Sequence, residues 1–285
     1  MIVTKSKAIK LITIIFLLII LSAWIIWANK ALMITEYIVT SDRLPNEFDG
    51  FRIAQVSDLH NSEFGKGNSE LLDMLKEAEP DIIVITGDLI DSRNPDIDIA
   101  INFIKKALKI APCYYVSGNH EANVPEYQKF KNEMIACGVH VLENKCVYIT
   151  ASKEKIQLIG VDDPLLQVNS SSDDSEETMK NVLDGLTSQG EYYTVLLSHR
   201  PELFELYSKY NIDLILSGHA HGGQFRIPFV GGVFAPSQGL FPKYDAGLFY
   251  ENGTNMIISR GIGNSSFPLR INNRPEIVIV ELHIK

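Results

Sequence analysis

FRIAQVSDLH (residues 51–60) is a short apolar run that stops at Asp58 and His60, and the same pattern recurs down the chain. DIIVITGD (81–88) stops at Asp88, CYYVSGNH (113–120) at Asn119 and His120, YYTVLLSH (192–199) at His199, and IDLILSGHAH (212–221) at His219 and His221. Runs of this length, rich in Ile, Val, Leu and Tyr, read as strands, and those apolar throughout read as strands covered on both faces. KIQLIGV (155–161), NMIISR (255–260) and EIVIVEL (276–282) read the same way, with helical stretches near 67–78, 96–109, 125–136 and 176–187 between them. The alternation implies an α/β fold of sheets covered by helices. Because α/β proteins gather their functional groups at the carboxyl ends of strands, five segments spread over the chain can converge on one spot.

Each polar residue has an ordinary explanation alone, since Asp after a strand is a common turn or cap residue. Together they are more informative. Five of the seven histidines fall at these strand ends, and Gly87, Gly118 and Gly218 precede them where backbone must bend or come close to a ligand. Clusters of His and Asp read as metal sites. Asp58, His60, Asp88, Asn119, His199, His219 and His221 offer oxygen and imidazole nitrogen without thiolate, which suits Mn²⁺, Fe or Zn²⁺. Seven ligands exceed what one tetrahedral ion takes, whereas two divalent ions about 3.5–4 Å apart, sharing a carboxylate, would use them all.

At this point the segments resemble the calcineurin-like metallophosphoesterase family, whose motifs stand here in order as Asp58-Leu59-His60, Gly87-Asp88, Gly118-Asn119-His120-Glu121, His199 and Gly218-His219-Ala220-His221. The resemblance spans about residues 51 to 282, and GHAHGGQ with the later SRGIGNSSFPLR is similar to its membrane-anchored or exported bacterial branch. It implies two mixed β-sheets sandwiched between helices. It also implies one metal held by Asp58, His60, Asp88 and His221, a second by Asp88, Asn119, His199 and His219, and His120 as catalytic acid. The implied reaction is phosphoester hydrolysis, of a diester or monoester, by hydroxide formed between the two ions. His120 as an imidazolium would protonate the leaving oxygen. Some members of that branch hydrolyse UDP-2,3-diacylglucosamine, which makes a lipid pyrophosphatase the alternative substrate reading.

Residues 11–28, LITIIFLLIILSAWIIWA, carry no charge and are close to the roughly 20 residues that cross a hydrocarbon core. Trp24 and Trp27 suit the membrane interface, and Lys5, Lys7 and Lys10 on the other side suit the positive-inside rule, so a single-pass anchor with an extracytoplasmic catalytic domain is expected. A cleaved leader shares the basic start and apolar core, but this core is long and no A-x-A cleavage pattern follows it. The chain is expected to divide into an anchor (1–30), a linker and entry segment (31–50) and one folded calcineurin-like metallophosphoesterase domain (51–285).

Formal net charge is −9, and setting aside the four lysines of the first thirty residues leaves 22 basic and 35 acidic residues, or −13. That balance, with no basic run, argues against a nucleic-acid partner. A phosphoester of lipid or cell-wall origin remains compatible, since metal cations can supply positive charge locally. Cys113 reads as a buried thiol, and Cys137 and Cys146 could pair in an oxidising compartment. Residues 169–177, NSSSDDSEE, read as a solvated surface loop. FRIPFVGGVFAPSQGLFPKY (225–244) reads equally as a lipid-binding or site-covering loop and as a packed irregular one. A catalytically silent binding or scaffold protein is the alternative from another class, which the complete ligand set disfavours.

Overall fold

The computed structural model of the chain describes residues 5–167, 175–187, 191–264 and 267–285. Two six-stranded sheets face each other. The first runs β1 (Met33–Ser41), β16 (Glu276–Ile284), β2 (Phe51–Val56), β3 (Ile82–Thr86), β4 (Cys113–Val116) and β5 (His140–Val141). The second runs β14 (Gly247–Glu251), β15 (Thr254–Ile258), β9 (Leu214–Ser217), β8 (Thr194–Leu197), β7 (Glu154–Gly160) and β6 (Lys145–Ala151). The sheets are mixed. β2, β3, β4 and β5 are parallel, as are β15, β9, β8 and β7, while β16 against β2, β14 against β15 and β6 against β7 are antiparallel.

Because successive strand residues point to opposite faces, one strand feeds two cores. Ile53, Val84 and Val116 meet Leu158, Val195 and Leu216 between the sheets. Their neighbours Ala54, Ile83 and Ile85 pack outward on helices α2 (Ser69–Glu77), α3 (Ile97–Ala107) and α4 (Tyr127–Cys137). The far face of the second sheet is covered by α5 (Ser175–Leu186) and α6 (Phe204–Tyr207) through Met179, Leu183, Phe204 and Tyr207. The expected helix–sheet–sheet–helix sandwich is present.

Local chemistry sets the helix limits. Asp96 caps α3 by accepting a hydrogen bond from the Ile99 amide, and Ala100, Ile101, Ile104 and Ala107 recur at helical spacing on its buried face. α4 stops at Gly138, whose φ of 103° few other residues adopt.

Of the twelve strands in the two large sheets, four were not expected: β1, β5, β6 and β14. β1 corrects the reading of residues 31–50 as a linker, because Met33 to Ser41 pair in parallel with Glu276 to Ile284 along their whole length. Its sequence, MITEYIVTS, mixes polar with apolar residues because most of this edge strand is only partly covered. Between β9 and β14 the chain forms two small hairpins, β10 (Arg226–Ile227) with β11 (Gly231–Gly232) and β12 (Phe234–Ala235) with β13 (Gly239–Leu240). Of the acidic run 169–177, residues 169–174 lie outside the described residues, and α5 begins at Ser175. All three cysteines are free thiols, with Cys113 buried.

Ahead of the sandwich stands α1 (Lys5–Lys30), whose stretch Lys7–Lys30 contains an 18-residue window of mean hydropathy 2.8 and is long and apolar enough to cross a membrane. Its last turn is fastened to the domain. Asn29 donates to the Arg270 carbonyl at 3.0 Å and accepts from the Arg270 amide at 2.7 Å, and the Arg274 guanidinium lies 4.7 Å from the Trp27 ring centre.

Candidate metal centre

The carboxyl ends of β2, β3, β4, β8 and β9 meet at one end of the sandwich, and most deliver their polar residues through backbone that L-residues rarely adopt. Asp58, His60, Asp88, His219 and His221 all have φ between 47° and 65°. So many left-handed non-glycine residues in one place is the kind of strain retained at functional sites. Close approach explains two of the glycines. A Cβ on Gly218 would collide with the Asp58 carboxylate, and one on Gly118 with that of Asp88.

Two clusters of ligand-type atoms result. In the first, His221 Nε2 lies 3.2 Å from Asp58 Oδ1 and 3.1 Å from His60 Nε2, and His60 Nε2 lies 3.6 Å from Asp88 Oδ2. In the second, His199 Nε2 lies 3.3 Å from Asp88 Oδ2, 3.2 Å from Asn119 Oδ1 and 3.2 Å from His219 Nδ1. Asp88 is common to both. The seven residues expected as ligands therefore lie together, and all the titratable ones are buried.

The donor set is one that needs a cation. His199 Nδ1 donates to the Thr86 carbonyl at 2.8 Å, so a neutral His199 aims its Nε2 lone pair at the oxygens of Asp88 and Asn119. Acceptor then faces acceptor, and only positive charge between them relieves it. A backbone carbonyl on the remote nitrogen is also the usual way a metal-binding imidazole is oriented. In the metal-free chain the proton itself supplies the charge. Burial opposes it, but the carboxylates of Asp88 and Asp58 push His199 up to about 10. His60 goes the other way, burial outweighing Asp88 and holding it down to about 3. His219 is likewise lowered, by burial and then by the Arg200 cation. Asp88 stays well below the usual carboxylate range, because His199 and His60 outweigh the burial that alone would raise it. The residues present fit a pair of divalent ions.

His120 sits beside this array, its ring edge-on to His60 with centres 4.4 Å apart. Its hydrogen-bond partners set which nitrogen is engaged by the backbone. His120 Nδ1 accepts from the Ser92 amide at 3.0 Å and has the Ser92 hydroxyl at 3.1 Å and Asp91 Oδ1 at 3.6 Å, which leaves Nε2 as the nitrogen turned to other partners. Glu121, the next residue, turns away to the backbone. Its carboxylate accepts the amides of Asp88, Leu89, Ile90 and Gly118 at 2.8–3.2 Å and so fixes the turn that presents Asp88. Burial and the Asp88 charge push Glu121 up to about 7 despite those amides.

Two residues went unread in the sequence. Arg200 is buried and clasped by Asp163, with Nε to Oδ2 at 2.5 Å and Nη2 to Oδ1 at 3.0 Å. Its Nη1 reaches Ser237 Oγ at 3.0 Å and His219 Nε2 at 3.3 Å. It lines a cavity of about 610 Å³ together with Asn119, Leu165, Glu202, His219 and Ser237. Asp163 could have been found by the rule that found the others, since KIQLIGVDDP also ends an apolar strand in carboxylates. His140 and His283 lie outside both clusters, His140 stacking on Tyr114 and His283 bonding Asp49 and Glu281.

The profile of the calcineurin-like phosphoesterase family matches residues 51–223. Among curated proteins, the chain is 32% identical to the uncharacterized metallophosphoesterase YkuE of Bacillus subtilis, over 87% of this chain and 84% of that protein. It is 29% identical to the phosphodiesterase YaeI of Escherichia coli, over 81% of this chain and 82% of that protein. Among solved structures, the Thermus thermophilus sulfate thiohydrolase SoxB superposes with a TM-score of 0.51 at 12% identity, over 76% of this chain and 52% of that one, a likeness of fold.

Proposed function

This chain belongs to the calcineurin-like phosphoesterase family and is a metal-dependent phosphoesterase, and from that premise we propose that it hydrolyses phosphodiesters at a membrane surface. Asp58, His60, Asp88 and His221 would hold one divalent ion, and Asp88, Asn119, His199 and His219 the other. When bound, such a pair supplies an acidified water and neutralises the phosphoryl oxygens.

The rest of the work falls to the chain's own groups. Arg200, already neutralised on one side by Asp163, keeps Nη1 turned toward His219 and the cavity, where it binds a phosphoryl oxygen. His120 holds its Nε2 proton for the leaving oxygen, with Nδ1 pinned by the Ser92 amide. Asn119 and Ser237 bracket the cavity mouth, and Leu165, Leu203 and Pro236 supply its apolar wall. Glu176 and Glu202 also line it, so a phosphate carrying one negative charge is tolerated better than one carrying two. That favours diesters over monoesters.

The observation that carries this reading is the pair of buried clusters sharing Asp88, with the cavity opening beside the second of them. The membrane part is supported by the single apolar helix α1, and the extracytoplasmic side by the lysines that precede it. Full-length protein loaded with Mn²⁺ in detergent is expected to cleave bis-p-nitrophenyl phosphate at least about tenfold faster than p-nitrophenyl phosphate. Equal rates would remove the diester preference, and no turnover of either ester or of phospholipid diesters would remove the catalytic reading.

A further inference from the structure

Between β9 and β14 the two small hairpins hold out apolar side chains that no described residue covers. Phe229, at the tip of the first hairpin, is fully exposed, and Val230, Leu240 and Phe241 are each more than 60% exposed. Phe229 and Phe241 also have φ of 66° and 53°, a region where a bulky residue is a genuine outlier. Glycine or asparagine would relieve that strain. An aromatic kept there, pointing into solvent, has a use outside the fold.

The same surface is tied to the end of the apolar helix. Asn29 of α1 exchanges two hydrogen bonds with the backbone of Arg270. One residue further on, the Ile271 carbonyl accepts from the Arg226 amide at 3.0 Å, at the root of the first hairpin. Gln224 donates to the carbonyls of Phe267 and Leu269, and the rings of Phe225 and Phe267 meet with centres 5.1 Å apart. Arg274 completes the frame by donating to the carbonyls of Ala31 and Leu32. The segment 267–274 thus bonds both the last turn of α1 and the root of the first hairpin, and its Phe267 is half-exposed.

We propose that this aromatic loop is a second membrane contact, in which Phe229, Val230, Leu240, Phe241 and Phe267 enter the interfacial layer of the bilayer that α1 crosses. Attachment is by apolar burial. The two cations of the segment, Arg226 and Lys243, are already paired with Asp245 and Glu205, so attraction to anionic headgroups has little left to act through. The consequence reaches the metal centre, because Pro236 and Ser237, in the turn between β12 and β13, line the cavity beside His219. Seating the hairpins in the interface holds that mouth at headgroup depth and makes phosphodiester lipids the substrate class. The membrane contact rests on the anchor reading of α1 and not on hydrolysis, whereas the substrate class rests also on the function proposed above.

The test places an environment-sensitive fluorophore on Phe229→Cys in the full chain, reconstituted in phosphatidylcholine vesicles. Lys129→Cys on the exposed side of α4 serves as the control and labelled parent, with its part-exposed Cys137 and Cys146, as the blank. At position 229 the emission should shift to the blue, and spin-labelled lipids should quench it about twofold or more beyond the control, as expected of a residue at the headgroup–acyl boundary. Protection from aqueous iodide should persist in about 0.5 M salt, where surface charge attraction is screened. Leu240→Cys, at a second exposed tip, must behave the same way. Quenching equal to the control at both positions overturns the proposal. So does protection from both quenchers that disappears as protein is diluted into more lipid, which would mean that a second copy covers the patch. Neither readout depends on turnover, so an inactive enzyme leaves the inference standing while removing the function proposed above.

Discussion

The two halves of the metal centre share Asp88 and nearly the same residue types, yet they sit in different surroundings. The half built on Asp58, His60 and His221 does not line the 610 Å³ cavity. Arg270 lies fully buried behind it, reaching His221 Nδ1 at 3.4 Å and bonding the carbonyls of Gly263 and Arg260. The half built on Asn119, His199 and His219 borders the 610 Å³ cavity with the Arg200–Asp163 pair at its edge. A pair of ions in such a site would divide the labour, one away from the cavity and structural to the other, one within reach of substrate. The sheets enforce the division. The first sheet contributes Asp58, His60, Asp88 and Asn119, and the second contributes His199, His219 and His221, so neither half exists unless the sandwich is packed.

The largest effect should come from the residue the halves share. Asp88→Asn keeps the shape but removes the charge that both clusters use, and turnover should fall roughly a thousandfold or more, the scale of losing a preorganised electrostatic element. Metal analysis should show fewer than two equivalents per chain. Retention of both ions by the variant would break the idea of a shared carboxylate.

Next in size is the difference between the halves themselves. Dialysis against a chelator should remove one equivalent quickly, from the half that borders the cavity, and the second slowly. His219→Ala should then hold only the slow equivalent and His221→Ala only the fast one, each losing more affinity than the roughly 10–100-fold typical of removing an outer hydrogen-bond partner. Identical release from the two variants would erase the contrast between the half away from the cavity and the open half beside it.

These halves were legible in the sequence because apolar runs end abruptly in Asp, Asn or His, and the folded strands are nearly those runs. Residues that work through backbone were not legible. Glu121 stands next to His120 in the sequence, yet what it grips is the amides around Asp88, a contact no residue spacing reveals. Arg200 and Asp163 are separated by 37 positions and by a crossover between strands, so their pairing exists only in the packed sheet. β1 was missed for a different reason. An edge strand shows water much of its surface, so its sequence resembles a linker. The 225–244 loop could be read either way because composition does not reveal which face is covered, and the exposure of Phe229, Val230, Leu240 and Phe241 appears only in the folded chain.

A smaller effect isolates the open half. Arg200→Ala removes the cavity's buried guanidinium and leaves the Asp163 carboxylate buried without it, so kcat/KM for a diester should fall about 10- to 100-fold, in line with a lost charged hydrogen bond of about 1.5–3 kcal/mol. Most of the loss should appear in KM if Arg200 binds the phosphate equally before and during reaction. Arg200→Lys should recover only part, since one ammonium cannot both clasp Asp163 and reach His219. Metal content should be unchanged. A fall in bound metal instead would reassign Arg200 from substrate to support of His219.

The smallest effect concerns what holds the open half in place. Asp162 accepts a hydrogen bond from Ser117 Oγ at 2.9 Å, and that hydroxyl also receives the Asp163 amide at 3.1 Å, so this carboxyl buttresses both the Asn119 turn and the Arg200 clasp. Burial pushes Asp162 up to about 7 against the Ser117 hydrogen bond, from an ordinary value of 3.8. The folded state therefore binds a proton that the unfolded state has released between those two values. Its stabilising contribution is fully present below pH 3.8, declines as pH rises toward 7, and is gone above it. Each tenfold difference in proton affinity between the folded and unfolded chain is worth about 1.36 kcal/mol, so the decline amounts to at most about 4 kcal/mol. Asp162→Asn is neutral throughout and should flatten that segment of the stability curve measured by urea unfolding of the metal-free chain, gaining most at and above pH 7. If Asp162 supports only the open half, the gain should be accompanied by tighter retention of the fast-released equivalent and no change in the slow one. An equal change in both would mean that the buttress acts on the whole sandwich and that the two halves loosen together.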